Sequence, residues 1–183
     1  MRRHGPCGLA DAQHTDPFRA LVSAIISQQL STKAAATIKA RLEALVGTPL
    51  TPARVTAVTD EALRGVGLSR QKIAYLRDLC DRVTTGQLAL RHLDAMADEA
   101  VVEALTGVKG IGRWTAEMFL MFHLAREDVV SVGDLGIRRA VQIAYGMENL
   151  PGPDELERIA EEWRPRRTLA CLYLWRSLDN TPS

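Results

Sequence analysis

Three glycines, at 107, 110 and 112, separate two apolar helical stretches, and this break constrains the fold more than any other feature of the chain. The run reads Leu105-Thr106-Gly107-Val108-Lys109-Gly110-Ile111-Gly112-Arg113-Trp114-Thr115-Ala116. Glycine permits positive φ and carries no Cβ, so a backbone built this way can turn tightly and approach another molecule. N–H groups exposed in such a turn, at the start of a helix, suit a phosphate. A plain structural turn between two packed helices needs the same glycines, so the pattern alone supports both readings. The residues between the glycines add detail. Val108 and Ile111 can anchor the turn from inside, Lys109 and Arg113 can reach phosphates, and Thr115 and Ala116 are small enough for close helix packing.

Helical signals dominate the rest of the chain. Thr15 or Asp16 can cap a helix with Pro17 at its start, and Phe18, Leu21, Val22, Ile25 and Ile26 follow at helical spacing. Ser31 caps a second helix that runs through Val46 and stops at Gly47. Short helical pieces begin at Thr51-Pro52 and Thr59-Asp60-Glu61, and Ser69 caps a stronger helix ending near Gly86. Helices are expected over 98–106 and 113–125 around the glycine run, then over 135–146, 154–162 and 166–178. Val129 to Val132 has strand-like composition but no partner strand in the sequence. Nine or ten helices without a convincing strand predict an all-α fold. The expected organisation is an irregular segment over 1–15 and a single helical domain over 16–183.

At 183 residues and 46% hydrophobic composition the chain can bury a substantial core. A net charge of +1 supplies no strong global attraction for nucleic acid. Arg164, Arg166, Arg167 and Arg176 nevertheless crowd the C-terminal end and could form a local basic face. Cys7, Cys80 and Cys171 lie far apart and form no Cys-x-x-Cys pair, which gives no support to a zinc or iron–sulfur site. Met1-Arg2-Arg3 is followed by no apolar segment, and no stretch is long enough to span a membrane. The expectation is a cytoplasmic protein, associated with the nucleoid if bacterial.

Asp134, in Val132-Gly133-Asp134-Leu135-Gly136-Ile137, is the candidate catalytic carboxylate. It stands 22 residues beyond Gly112 and just before an apolar-periodic helix. Without the hairpin an N-cap role would be the better explanation, and the two roles are compatible, because a helix N-terminus stabilises the ionised carboxylate. Asp128, in a charged turn, reads as solvated. A phosphate-gripping hairpin followed at this distance by one carboxylate resembles the helix-hairpin-helix DNA glycosylases, and within them the 3-methyladenine DNA glycosylase II type. The resemblance covers roughly residues 16–178 and lacks an N-terminal β-rich domain.

This resemblance implies specific roles. Gly107, Lys109, Gly110, Gly112 and Arg113 would grip the DNA backbone, with a monovalent cation possible at the hairpin carbonyls of 107–112. Asp134 would be the catalytic aspartate. Trp114 stands where bifunctional relatives carry a Schiff-base lysine, which implies a monofunctional hydrolase with no lyase step. Trp114 and Trp175 correspond to pocket tryptophans, and Met118 replaces an expected aromatic four residues after Trp114. A cationic alkylated purine would be drawn to a Trp face. Trp175 could equally be core, and Trp163 reads as structural packing. Ile26-Ser27-Gln28-Gln29-Leu30-Ser31 resembles the family's wedge loop, with Gln29 at the inserting position and Leu30 beside it; a solvated helix junction is the plain alternative.

The implied fold is the helix-hairpin-helix glycosylase fold, two helical lobes with an active-site cleft between them. The implied activity is excision of alkylated bases such as 3-methyladenine and 7-methylguanine from double-stranded DNA, by a monomer without cofactor or catalytic metal. Two other readings stay open: a glycosylase for hypoxanthine, etheno-adenine or a mismatched base, and a hairpin module that binds DNA without catalysis.

Overall fold

A computed structural model of the chain describes residues 16–179. The expected irregular segment over 1–15, Thr15 as a cap, and Cys7 lie outside the described residues. Ten α-helices and two 3₁₀ turns make up the described part, which contains no strand. The all-α expectation holds.

The chain divides into two compact units, of which the described parts are 16–119 and 120–179. The first contains α1 (Pro17–Ser27), α2 (Thr32–Val46), α3 (Pro52–Thr56), α4 (Asp60–Gly65), α5 (Arg70–Thr84), a 3₁₀ turn (Leu90–Ala95), α6 (Asp98–Thr106) and the start of α7 (Arg113–Phe122). Its core forms where α1 packs on α2 and α5, and α3 on α5. Phe18, Leu21, Val22, Ile25 and Ile26 of α1 are all buried, as are Ile73, Leu76, Leu79 and Cys80 of α5. This is the apolar stripe that a 3.6-residue period produces.

Local chemistry sets where these helices begin. The side chains of Asp16, Ser31, Thr51, Thr59 and Ser69 each accept the backbone N–H three residues on, at 2.9 to 3.4 Å. Each satisfies one of the donors that a helix start leaves unpaired.

The second unit contains the end of α7, α8 (Leu135–Tyr145), α9 (Pro153–Ala160), a 3₁₀ turn (Glu161–Trp163) and α10 (Arg167–Asp179). α8 packs against α10, with Ile137, Ala140, Val141 and Cys171 buried. Gly146, in the left-handed region, ends α8.

Two expectations need correction, the end of α7 and the setting of Asp128. α7 stops at Phe122, not near 125, because Ala125 adopts φ 52° and Arg126 N–H closes back onto the Leu120 carbonyl at 3.0 Å. Residues 129–132, whose strand-like composition has no partner strand, form no strand, and the Val129 N–H donates to the Thr168 hydroxyl at 3.0 Å. Asp128 is not a solvated turn residue. Its carboxylate accepts from Arg167 Nε at 2.8 Å and Arg164 Nη1 at 2.7 Å. Burial alone would raise its pKa, but the Arg167 hydrogen bonds and the two guanidinium charges outweigh burial and hold the carboxyl below its ordinary range. Of the four C-terminal arginines, Arg164 and Arg167 are engaged by Asp128 and Glu161. No described helix is long and apolar enough to cross a membrane.

Candidate active site and DNA-binding elements

The carboxylate is built by α8 and α10. Asp134 is the N-cap of α8, and its Oδ1 accepts the Ile137 N–H at 2.8 Å. The same oxygen accepts the indole Nε1–H of Trp175, from α10, at 3.0 Å. Charge-assisted bonds of this kind fix the carboxylate in one orientation. Gly136 leaves the space for it: a Cβ there would stand 3.0 Å from Asp134 Oδ1 and 3.3 Å from Trp175 Cδ1. Trp175 is half-buried, and its ring also stacks with Phe122, ring centroids 6.2 Å apart and planes at 29°. The sequence pointed to Asp134 and Trp175 separately; the structure brings them into direct contact. Phe122 is an additional exposed ring beside them that the sequence did not single out.

The glycine run closes as a hairpin between α6 and α7. Val108 and Ile111 are buried, and Ile111 N–H donates to the Val108 carbonyl at 3.1 Å. The three glycines serve three different needs. Gly107 ends α6 in an ordinary helical conformation. Gly110 has φ +81°, and a Cβ there would lie 2.1 Å from the Tyr75 ring. Gly112 is open: a Cβ there would meet nothing within 4 Å. So the molecule approaching Gly110 most closely is this chain's own Tyr75, a partner that nothing in the local sequence announces.

α5 supplies more of the hairpin's support. Asp78 accepts the backbone N–H of Lys109 at 2.9 Å and pairs with Arg82 Nε at 2.9 Å. Burial pushes its pKa up, but the Lys109 amide and the Arg82 guanidinium outweigh this and keep it below the ordinary value. The two cations expected at phosphates have carboxylate neighbours. Lys109 Nζ lies 3.7 Å from Asp78, and Arg113 pairs with Glu99 and, at 3.7 Å, with Glu117. Both cations are largely exposed, and the Arg113–Glu99 pair, exposed on both sides, is of a kind weak enough to exchange for a phosphate. Of the hairpin carbonyls, that of Gly110 accepts from Gln28 Nε2 and that of Gly112 from Ala116 N–H. A monovalent cation there would use second lone pairs on these oxygens. Among the described residues no group of three or more His, Cys, Asp or Glu could hold a metal.

Trp114 projects from the first turn of α7 and is 52% exposed, whereas Thr115 and Ala116 behind it are buried. Met118, one turn on, is half-buried. The wedge-like loop joins α1 to α2. Gln29 has φ 56°, an uncommon left-handed conformation for a residue with a side chain, and both Gln29 and Leu30 are exposed. Trp163 donates its Nε1–H to the Tyr145 hydroxyl at 3.1 Å, in keeping with a packing role.

Comparison with known proteins agrees with this architecture. Residues 22–166 match the family described as HhH-GPD superfamily base excision DNA repair protein. DNA-3-methyladenine glycosylase 1 of Schizosaccharomyces pombe is 33% identical over 165 residues, which cover 88% of this chain and 72% of that protein. The crystal structure of a DNA-3-methyladenine glycosidase from Bacillus halodurans superposes with a TM-score of 0.84 at 46% identity, covering 91% of this chain and 77% of the other. The S. pombe 3-methyladenine DNA glycosylase in complex with abasic DNA superposes with a TM-score of 0.78 at 31% identity, covering 91% and 82%. The hairpin between α6 and α7, the capped carboxylate and these likenesses lead to one conclusion: the chain belongs to the HhH-GPD superfamily of base excision DNA repair proteins.

Proposed function

We propose that the protein is a monofunctional DNA glycosylase that extrudes alkylated bases, 3-methyladenine and 7-methylguanine among them, and hydrolyses their N-glycosidic bond. The observation that carries this reading is Asp134, held by two N–H donors at the start of α8 in a chain closely similar to proteins named for that reaction. As the base leaves C1′ with the bonding pair, positive charge develops on the deoxyribose. A fixed carboxylate stabilises it electrostatically. Asp134 also takes a proton from the attacking water, whose oxygen bonds to C1′. The products are the free base and an abasic strand. Trp114 offers no amine, so the sugar is not captured covalently and the strand stays intact.

In this reading Gly107, Lys109, Gly110, Gly112 and Arg113 form the backbone grip. Gln29 and Leu30 fill the space the base vacates, and Trp114, Trp175 and Met118 receive the base. The enzyme acts as a monomer on double-stranded DNA, in the cytoplasm and at the nucleoid in a bacterium. The test is a base-release screen on duplexes carrying 3-methyladenine, 7-methylguanine, hypoxanthine, etheno-adenine or a mismatch. Release of the first two supports the proposal. Release only of neutral lesions reassigns the substrate, and binding without release of any base reduces the protein to a DNA-binding module.

A further inference from the structure

Helix α5 carries three residues at a spacing of three, Lys72, Tyr75 and Asp78, that the reaction itself does not use. Lys72 Nζ donates to two main-chain carbonyls where α1 ends, Ile26 at 2.6 Å and Gln28 at 2.7 Å. These carbonyls belong to the last turn and cap of α1, where helix carbonyls lack partners and a cation is favoured. The next residue is Gln29, in its left-handed conformation. Gln28 then turns its side chain the other way and donates Nε2 to the Gly110 carbonyl at 2.8 Å. Gly110 rests against Tyr75, and the adjacent Lys109 amide is held by Asp78. The wedge loop and the hairpin are therefore joined to each other by Gln28 and to one face of α5 at both ends.

We propose that Lys72 and Gln28 are positioning residues for base extrusion, locking the wedge loop at a fixed register from the hairpin's backbone grip. This rests on the glycosylase reading above. Inserting a side chain into a stacked duplex pushes back on the loop that carries it. The Gln29 conformation survives that load only if neighbouring groups over-determine it, and Lys72 holds the Ile26 and Gln28 carbonyls just before it. The Gln28 bridge keeps the inserted residue and the gripped strand in step. Burial lowers the Lys72 pKa, in keeping with an ammonium seated beneath the loop and not extended into solvent.

The variants are Lys72→Met and Gln28→Leu, with Lys72→Arg as the conservative control and thermal melting to verify folding. Single-turnover release of 7-methylguanine is measured from two duplexes, one pairing it with cytosine and one placing it opposite an abasic analogue. An unpaired base needs less help to leave the stack. Lys72→Met and Gln28→Leu should lower release from the paired duplex about tenfold or more, and from the unpaired one less than about threefold, with Lys72→Arg restoring much of the difference. A second readout is independent of catalysis: fluorescence of 2-aminopurine next to an abasic analogue, which rises when the wedge unstacks it. The variants should lose that rise at saturating protein. An equal fall on both duplexes, or an unchanged fluorescence amplitude in folded variants, overturns the proposal. If the parent releases no base from either duplex the glycosylase reading fails, and the fluorescence amplitudes alone decide the role of Lys72 and Gln28.

Discussion

The indole N–H of Trp175 donates to the same carboxylate oxygen of Asp134 that caps helix α8, at 3.0 Å. A residue expected to offer its ring face to a base therefore also holds the proposed catalytic carboxylate by its edge. A hydrogen bond to a charged group contributes about 1.5–3 kcal/mol. Trp175→Phe keeps a ring but removes this donor, so base release should fall about tenfold or more while DNA affinity changes little. Single-turnover rates with a direct binding titration check this; an unchanged rate in a folded protein separates the indole edge from catalysis.

Asp134→Asn is the stronger test of the carboxylate. Asparagine caps helices about as well as aspartate, so the fold should persist. In the proposed mechanism the charge that stabilises the sugar cation is then gone, and release should drop by about 10² or more. Binding to abasic-analogue DNA should survive. Near-parental turnover by this variant would remove Asp134 from the mechanism.

The hairpin glycines can be separated experimentally. Gly110→Ala drives a methyl into Tyr75 at a positive φ, so it should lower the melting temperature and disturb the hairpin itself. Gly112→Ala meets open space in the protein alone. If Gly112 faces a phosphate, Gly112→Ala should melt like the parent yet bind damaged and undamaged duplex several-fold more weakly, because backbone contacts carry no sequence information. Parental affinity for both duplexes would make Gly112 a turn residue only.

How much of this was legible in the sequence depends on the range of the interaction. Helix starts at Ser31, Thr59, Ser69 and Asp134 were legible because a cap and its partner lie three residues apart. The early end of α7 was not, since it uses Ala125 in a left-handed conformation where no glycine signals a stop. Nor was the 3₁₀ turn at Leu90–Ala95, which has no side-chain cap. Within the candidate site, the N-cap position of Asp134 was readable from the apolar-periodic helix that follows it. Tyr75, Asp78 and Lys72 act on residues 31 to 46 positions away, so nothing local marks them. The available signal was polar residues at every third position flanking the apolar stripe of α5.

Asp128 should stabilise the second unit in a pH-dependent way. Its folded carboxyl lies below the ordinary value, so its contribution is complete above the unfolded pKa and is lost as pH falls through the folded one. Asp128→Ala strands the part-buried Arg167 and should cost about 1–3 kcal/mol, or roughly 2–12 °C of melting temperature. Melting curves at pH 7 and near pH 3 test this. The difference between parent and variant should shrink on acidification; a constant difference would mean that Asp128 acts through shape and not charge.

Strand chemistry offers a qualitative outcome. With Trp114 at the position of a Schiff-base lysine, borohydride should trap no covalent protein–DNA adduct, and the product should be an intact strand that breaks only on alkali treatment. Lys109 is the nearest lysine in sequence, and Asp78 already accepts from its backbone and pairs with its ammonium. A robust adduct would reveal an amine nucleophile, and loss of that adduct in Lys109→Gln would locate it.

Selectivity should rest on the charge of the leaving base. Alkylation at N3 or N7 leaves a purine cationic, and a tryptophan face attracts a cation by about 0.5–2 kcal/mol. Trp175→Ala alone cannot isolate this effect, because it also removes the N–H that holds Asp134 and slows every substrate. The ratio of two rates cancels that common loss. In Trp114→Ala and Trp175→Ala alike, the rate for 7-methylguanine divided by that for neutral hypoxanthine should fall about 2- to 30-fold from the parental ratio. The Trp114 variant is the more informative of the two, since its ring is half-exposed on α7 and its loss removes neither partner of the Trp175–Asp134 bond. A ratio unchanged in both variants would show that the rings supply shape and stacking, and selectivity would then rest on how readily each base departs.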